Sequence, residues 1–176
     1  MDDFDHILNW KLKQGSHPFP GKDGGTCINE AALVAAGYEY KPIRSAADMP
    51  DAFSRPICQL ALRLNDHATD AQRQRLLPYV TRLACADSPE VERERQAHID
   101  RHVRRDYVDL PFERGLAILD GALAIGRRAE DLDPVELGSR LDAARSLAAE
   151  PSPARAQPFF ARVRQWLRRK EAEPVA

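Results

Sequence analysis

A chain of 176 residues, 43% hydrophobic and 30% charged, has the balance of a globular protein rather than of a disordered or membrane-embedded one. Its formal net charge of −1 provides no whole-molecule attraction to nucleic acid or to an anionic lipid surface, so any such affinity needs a local patch. No apolar run reaches the about 18 residues of a bilayer span, and the opening MDDFDHILNWKLKQGSH lacks the apolar stretch of a secretion signal, so a cytoplasmic protein is expected.

Residues 3–14 read as a weak amphipathic opener, with Phe4, Ile7, Leu8 and Leu12 nearly on one side. GSHPFPGKDGG (15–25) is a loop by its glycines and prolines. A helix over 26–36, apolar almost all round, is expected to stop at Gly37. An irregular connector (38–50) leads to a helix running to about 65, whose core face is Ile57, Leu60, Ala61 and Leu64. Thr69 and Gln72 form a capping box. The helix they open carries Leu76, Leu77, Val80, Leu83 and Ala84, kinked at Pro78. Ser88-Pro89-Glu90 starts a long charged helix to about 107, with few apolar positions: Val91, Ile99, Val103 and Tyr107. Pro111 ends or bends it, and Phe112, Leu116, Leu119 and Leu123 continue as a stripe to about residue 130. Asp133-Pro134 opens a helix that buries Leu137, Leu141, Ala144 and Ala148. EPSPARAQP (150–158) is a Pro-rich linker, and a last basic amphipathic helix spans about 158–171.

Alanine, leucine and arginine dominate, and no stretch alternates with period two. The expected fold is therefore all-α, a compact domain of about seven or eight helices with a loop-rich N-terminal third. A helical domain over 1–149, with two halves meeting near 108–111 as the alternative division, would be followed by the linker and basic helix of 150–176.

Three pieces, GGTCINEAALVAAG, FSRPICQLALRLND and RQRLLPYVTRLACADSPEVERERQAHI, resemble a family of uncharacterised bacterial small helical proteins. A weaker likeness continues through DLPFERGLAILDGALAI, so about two-thirds of the chain takes part. The resemblance implies a compact helical fold and carries over no catalytic residue.

Cys27 stands where a helix dipole and first-turn amides would stabilise a thiolate, with His17 or His67 as a possible base. The same amides could form an oxyanion hole. Set against this, cysteine is among the most buried residue types, and this helix is apolar throughout. Cys58 and Cys85 make the cysteines odd in number, and buried free thiols are expected. Glu30 lies one turn from Cys27, and burying its carboxylate demands partners, for which Arg55 and Arg82 are the obvious choices. Asn29, Asn65 and Asp66 would complete a polar network or a small pocket.

Glu94, His98, His102 and Asp106 share one helical face. Two histidines one turn apart can chelate a metal, but Arg93, Arg95, Arg101, Arg104 and Arg105 repel a cation, and an ion-paired solvated face is expected instead. In the C-terminal helix Arg162, Trp166, Arg168 and Arg169 are the candidate partner-binding residues. No pattern asks for a cofactor or names a resident metal. The expected function is a non-enzymatic protein–protein interaction or regulatory module. The alternatives are a cysteine-dependent enzyme built on Cys27 and nucleic-acid binding through the arginine-rich helices.

Overall fold

The computed structural model describes residues 11–17, 25–103 and 110–149. Among them are six α-helices: α1 (Ile28–Ala35), α2 (Arg55–His67), α3 (Asp70–Gln74), α4 (Pro89–His102), α5 (Phe112–Leu123) and α6 (Pro134–Ala149). Two 3₁₀ segments, Ala46–Asp48 and Leu77–Arg82, and two short strands, β1 (Lys11–Leu12) and β2 (Gly25–Thr26), complete the elements. The chain is thus mostly helical, as its composition predicts. The linker and basic helix of 150–176, with Arg162, Trp166, Arg168 and Arg169, lie outside the described residues, as do Arg104, Arg105 and Asp106.

Of the opener expected over 3–14, residues 3–10 lie outside the described residues, and what is described departs from expectation. Residues 11–12 form no helical turn; they pair in parallel with β2, Lys11 opposite Gly25 and Leu12 opposite Thr26. Gln74 of α3 closes the other edge, its amide accepting from the Leu12 N–H at 3.1 Å and donating to the Leu12 carbonyl at 2.9 Å. A side chain supplies the third strand that the sequence lacks.

α1 is buried along its whole length. Its C-terminus closes as a Schellman motif: Gly37, at φ +84°, donates to the Val34 carbonyl and Tyr38 to that of Leu33. α2 packs against α1, α4 and α5, and α6 lies on α1. The buried hydrophobic residues form one cluster from Leu12 to Leu137 that draws on both sides of residues 108–111.

The helix expected through Pro78 is broken rather than kinked. The Thr69–Gln72 box opens α3 as predicted, but α3 ends at Gln74 and a 3₁₀ segment takes over at Leu77. Proline at 78 has no N–H for the Gln74 carbonyl, and the tighter 3₁₀ turn tolerates that loss. α5 also ends earlier than its apolar stripe predicts, at Leu123. Gly126, at φ +71°, turns the chain there, and a Cβ on it would meet Val91 Cγ1 at 2.3 Å. The Asp87 carboxylate holds the turn by accepting from the Arg127 N–H at 2.6 Å.

Three arginines finish helices that end without a basic residue of their own, or nearly so. Arg140 donates to the Ala35 carbonyl at the end of α1 (2.8 Å). Arg73 donates to the Asn65 and Ala68 carbonyls at the end of α2 (2.7 and 2.6 Å). Arg95 reaches the Ile125 and Arg127 carbonyls beyond α5 (3.0 and 2.8 Å). Carbonyls left over at a helix C-terminus accept cations well, because the macrodipole adds to each hydrogen bond.

Candidate functional site

Two places hold the chain's polar chemistry: the start of α1, and a trough between the Leu77–Arg82 segment and residues 123–132.

At the start of α1 the sequence Cys27-Ile28-Asn29-Glu30 is a capping box with a thiol in place of the usual hydroxyl. Cys27 Sγ accepts from the Glu30 N–H at 3.4 Å, and Glu30 Oε2 accepts from the Cys27 N–H at 2.9 Å. The Ile28 N–H donates to Asn65 Oδ1 at 3.3 Å. The first-turn amides are therefore committed, and the oxyanion hole they were expected to offer does not form. Cys27 is fully buried. Burial first, and the neighbouring Glu30 charge second, push its thiol well above the ordinary cysteine value, so it is protonated at neutral pH.

Glu30 is a hub. Oε1 accepts from Ser16 Oγ (3.0 Å), the His17 N–H (2.9 Å) and the Ile43 N–H (3.0 Å). Oε2 accepts from Thr26 Oγ1 (3.3 Å), the Cys27 N–H (2.9 Å) and Tyr40 Oη (3.0 Å). Burial and the Glu30 charge raise the Tyr40 phenol above its usual value, which keeps it a donor. One side chain thus ties together four stretches that are separate in sequence: 16–17, 26–27, 40 and 43.

The arginines expected to pair with Glu30 are elsewhere. Arg55 clasps the loop before its own helix, donating to the Ala46 carbonyl at 2.6 Å, to the Met49 carbonyl and to Asp51 at 3.1 Å. Arg82 pairs with Asp120 at 3.1 Å and lies over the Tyr79 ring. The backbone amides of the loops replaced both guanidinium groups. The remaining network residues do gather at α1. Asn65 Nδ2 donates to the Lys13 carbonyl at 2.9 Å, Asp66 Oδ1 accepts from the Gly15 N–H at 2.9 Å, and Asn29 Nδ2 donates to the Cys58 carbonyl at 3.1 Å. His17 joins the hub through its backbone. His67 is exposed at the end of α2, where Nδ1 faces the Arg63 carbonyl at 2.9 Å. Neither imidazole hydrogen-bonds to the thiol.

Cys58 and Cys85 are also buried and unpaired, and burial raises both thiols. On α4 the His98 and His102 rings are 4.8 Å apart. His98 Nε2 is turned into α5 against Gly121, and His102 Nδ1 faces the His98 carbonyl at 2.7 Å. Among the described residues no three histidine, cysteine or carboxylate side chains converge to hold a metal ion.

Arg95 was assigned to the solvated face, and the structure corrects this: it is the largest fully buried side chain. Besides the two carbonyls beyond α5, its Nη1 donates to the Cys85 carbonyl and to Glu92 Oε1, each at 2.7 Å. Glu92 in turn accepts from Ser54 Oγ at 2.6 Å. The signal was present in the sequence. Val91, Arg95, Ile99 and Val103 follow one another at intervals of four, so the arginine stands in an apolar row.

The trough was not foreseen. A cleft of about 530 Å³ is lined by Leu123, Ala124 and Leu132 together with Arg82, Arg128 and Asp131, among others. A second recess of about 230 Å³ continues it past Tyr38, Val80 and Ala84, and Thr81, Glu130 and Leu132 belong to both. The charges are largely matched in place: Arg82 with Asp120, and Arg127 with Glu130 at 3.2 Å. The lining is thus mixed, with apolar side chains beside charges of both signs.

No protein-family model matches the chain, and no match was found among curated proteins or solved structures.

Proposed function

We propose that the protein is a non-enzymatic helical module that receives a segment of another protein in the trough between residues 80–84 and 123–132. The observation that carries this reading is that the two recesses adjoin, sharing Thr81, Glu130 and Leu132, with apolar side chains such as Leu123 and Val80 in their lining. A bound peptide segment of mixed charge suits such a lining. Its side chains would cover Leu123 and Leu132, while its ends met charges already balanced in sign. A polyanion suits it less, because Arg82 and Arg127 each face a carboxylate. The polar groups at the start of α1 support the same reading, since thiol, carboxylate and first-turn amides there are consumed in holding the loops.

The test is a capture experiment with host extract on immobilised full-length chain, followed by affinity measurement on the recovered partner. Thr81→Arg with Ala124→Arg fills the trough from residues that are half-buried and exposed. The expected result is at least a tenfold loss of affinity, about 1.4 kcal/mol, while Gln96→Arg on the exposed side of α4 leaves binding unchanged. Equal binding by the trough variant removes the reading.

A further inference from the structure

The α4–α5 seam contains one titratable ring whose inward nitrogen has no hydrogen-bond partner. The helices run antiparallel: Val91 meets Gly126, His98 meets Gly121, and Arg114 donates to the His102 carbonyl at 3.3 Å. At Gly121 the approach is so close that a Cβ would sit 2.5 Å from His98 Nε2. That nitrogen is sealed from solvent and has no hydrogen-bond partner.

We propose that His98 is an acid-operated latch: neutral, its ring seats against Gly121 and holds α4 on α5, and on protonation it leaves that seat and loosens the seam.

The neutral imidazole needs only one N–H, so an Nε2 without an acceptor is tolerable. The imidazolium has two N–H donors, and the one on Nε2, which has no hydrogen-bond partner, would face the Gly121 backbone; the Ile118 carbonyl is the nearby backbone group that favours the charged form. The charged neighbours act in the same direction. On α4, Arg101 follows three residues on, and the His102 ring is 4.8 Å away. On α5, Arg114 reaches the last turn of α4. Of the carboxylates, Glu94 is exposed one turn back and forms no ion pair with the ring, and Asp120 is taken by Tyr79 and Arg82. α2, packed against both helices, brings the apolar Leu64 to Gly115. Burial, then His102 and Arg101, hold His98 below the ordinary imidazole value, opposed only by the Ile118 backbone.

The sign follows from proton counting. The unfolded chain binds the proton more readily than the folded one, so the latch's contribution is complete above the free imidazole value of about 6.5 and is lost as the pH falls below it. Each unit by which His98 titrates below that value lowers the closed-to-open ratio of the seam about tenfold at acid pH.

NMR titration of the histidine rings, with amide exchange of residues 96–102 and 114–122, reads this directly on the full chain from pH 7.5 to 5. The expected result is a His98 midpoint below the free imidazole value of about 6.5, with exchange across the seam accelerating through the same interval. His98→Gln removes the step. Gly121→Ala evicts the ring, whose midpoint then rises toward the free value, and the step disappears there also. A His98 midpoint at the free imidazole value in the wild type, or a step that persists in His98→Gln, overturns the proposal. Should His98→Gln fail to fold, the wild-type midpoint and its rise in His102→Gln decide the question; no rise counts against the latch. Because neither readout involves a partner, failure here is distinct from failure of the trough.

Discussion

Glu30 and Cys27 are three residues apart and share a capping box, yet they contribute very different amounts to the fold. Each Glu30 oxygen accepts three hydrogen bonds from uncharged donors. Glu30→Gln converts one oxygen into an NH2 group that points hydrogens at its donors; a hydroxyl can turn to accept, but the backbone N–H groups on that side are left unsatisfied inside the protein. The expected loss is about 3–5 kcal/mol, with the Ser16–His17 and Tyr40–Ile43 stretches released first. Cys27→Ser keeps an acceptor for the Glu30 N–H, and hydroxyls are the commoner helix caps. Its expected change is within about 1 kcal/mol, and partner binding should survive it. Urea unfolding of the two variants measures both numbers. Equal stabilities would show that the hub does not hold the loops. Loss of function in a stable Cys27→Ser would restore the thiol as a chemical group. In the sequence both residues stood out, Cys27 as a thiol at a helix start and Glu30 as a carboxylate in an apolar helix, but not their pairing as a capping box, because a thiol is not among the residues that ordinarily mark a helix cap.

At the scale of elements, arginine does the work that glycine and caps do elsewhere. Arg95 alone ties the end of α5 and the Cys85 carbonyl to α4, with Glu92 beside it as an ion partner. Arg95→Met keeps much of the volume but strands three carbonyls and removes the cation from Glu92. The expected cost is about 3–5 kcal/mol. Arg93→Met, whose guanidinium pairs with Glu90 on the exposed side, should change stability by less than about 0.5 kcal/mol. Thermal or urea unfolding separates them, and similar small effects would mean that Arg95 is replaceable filling. Helix starts were legible in the sequence, since Thr69, Ser88 and Asp133 are local signals: Ser88 Oγ accepts from the Val91 N–H at 3.3 Å and Asp133 Oδ1 from the Val135 N–H at 2.7 Å. Helix ends were less so. The stop of α5 depends on Gly126 meeting Val91 and Asp87, residues 35 and 39 positions earlier, and no window along the chain contains that contact.

The whole molecule repeats the distinction between local and assembled features. Its helical class follows from periodicity, which each segment carries by itself. The trough joins residues 80–84 to residues 123–132, and nothing in either stretch announces that the other will face it. The division at 150 is a further question of assembly. Among the described side chains the last fully buried hydrophobic is Leu137, with Ala144 packed against the same core, and α1, α2 and α5 are closed at their C-termini by Arg140, Arg73 and Arg95, all within the first 149 residues. A chain cut after Ala149 therefore contains every group that satisfies those ends. It is expected to unfold cooperatively, with a midpoint within about 3 °C of the full chain, because only stabilising contacts of more than about 1 kcal/mol would move it further. Calorimetry on both forms, with partner affinity measured alongside, tells three arrangements apart. An unchanged midpoint and unchanged affinity leave the trough as sufficient. An unchanged midpoint with weakened binding makes the basic segment a second contact for the partner. A midpoint lowered by many degrees would mean that residues 150–176 belong to the body, and the 1–149 boundary would fall.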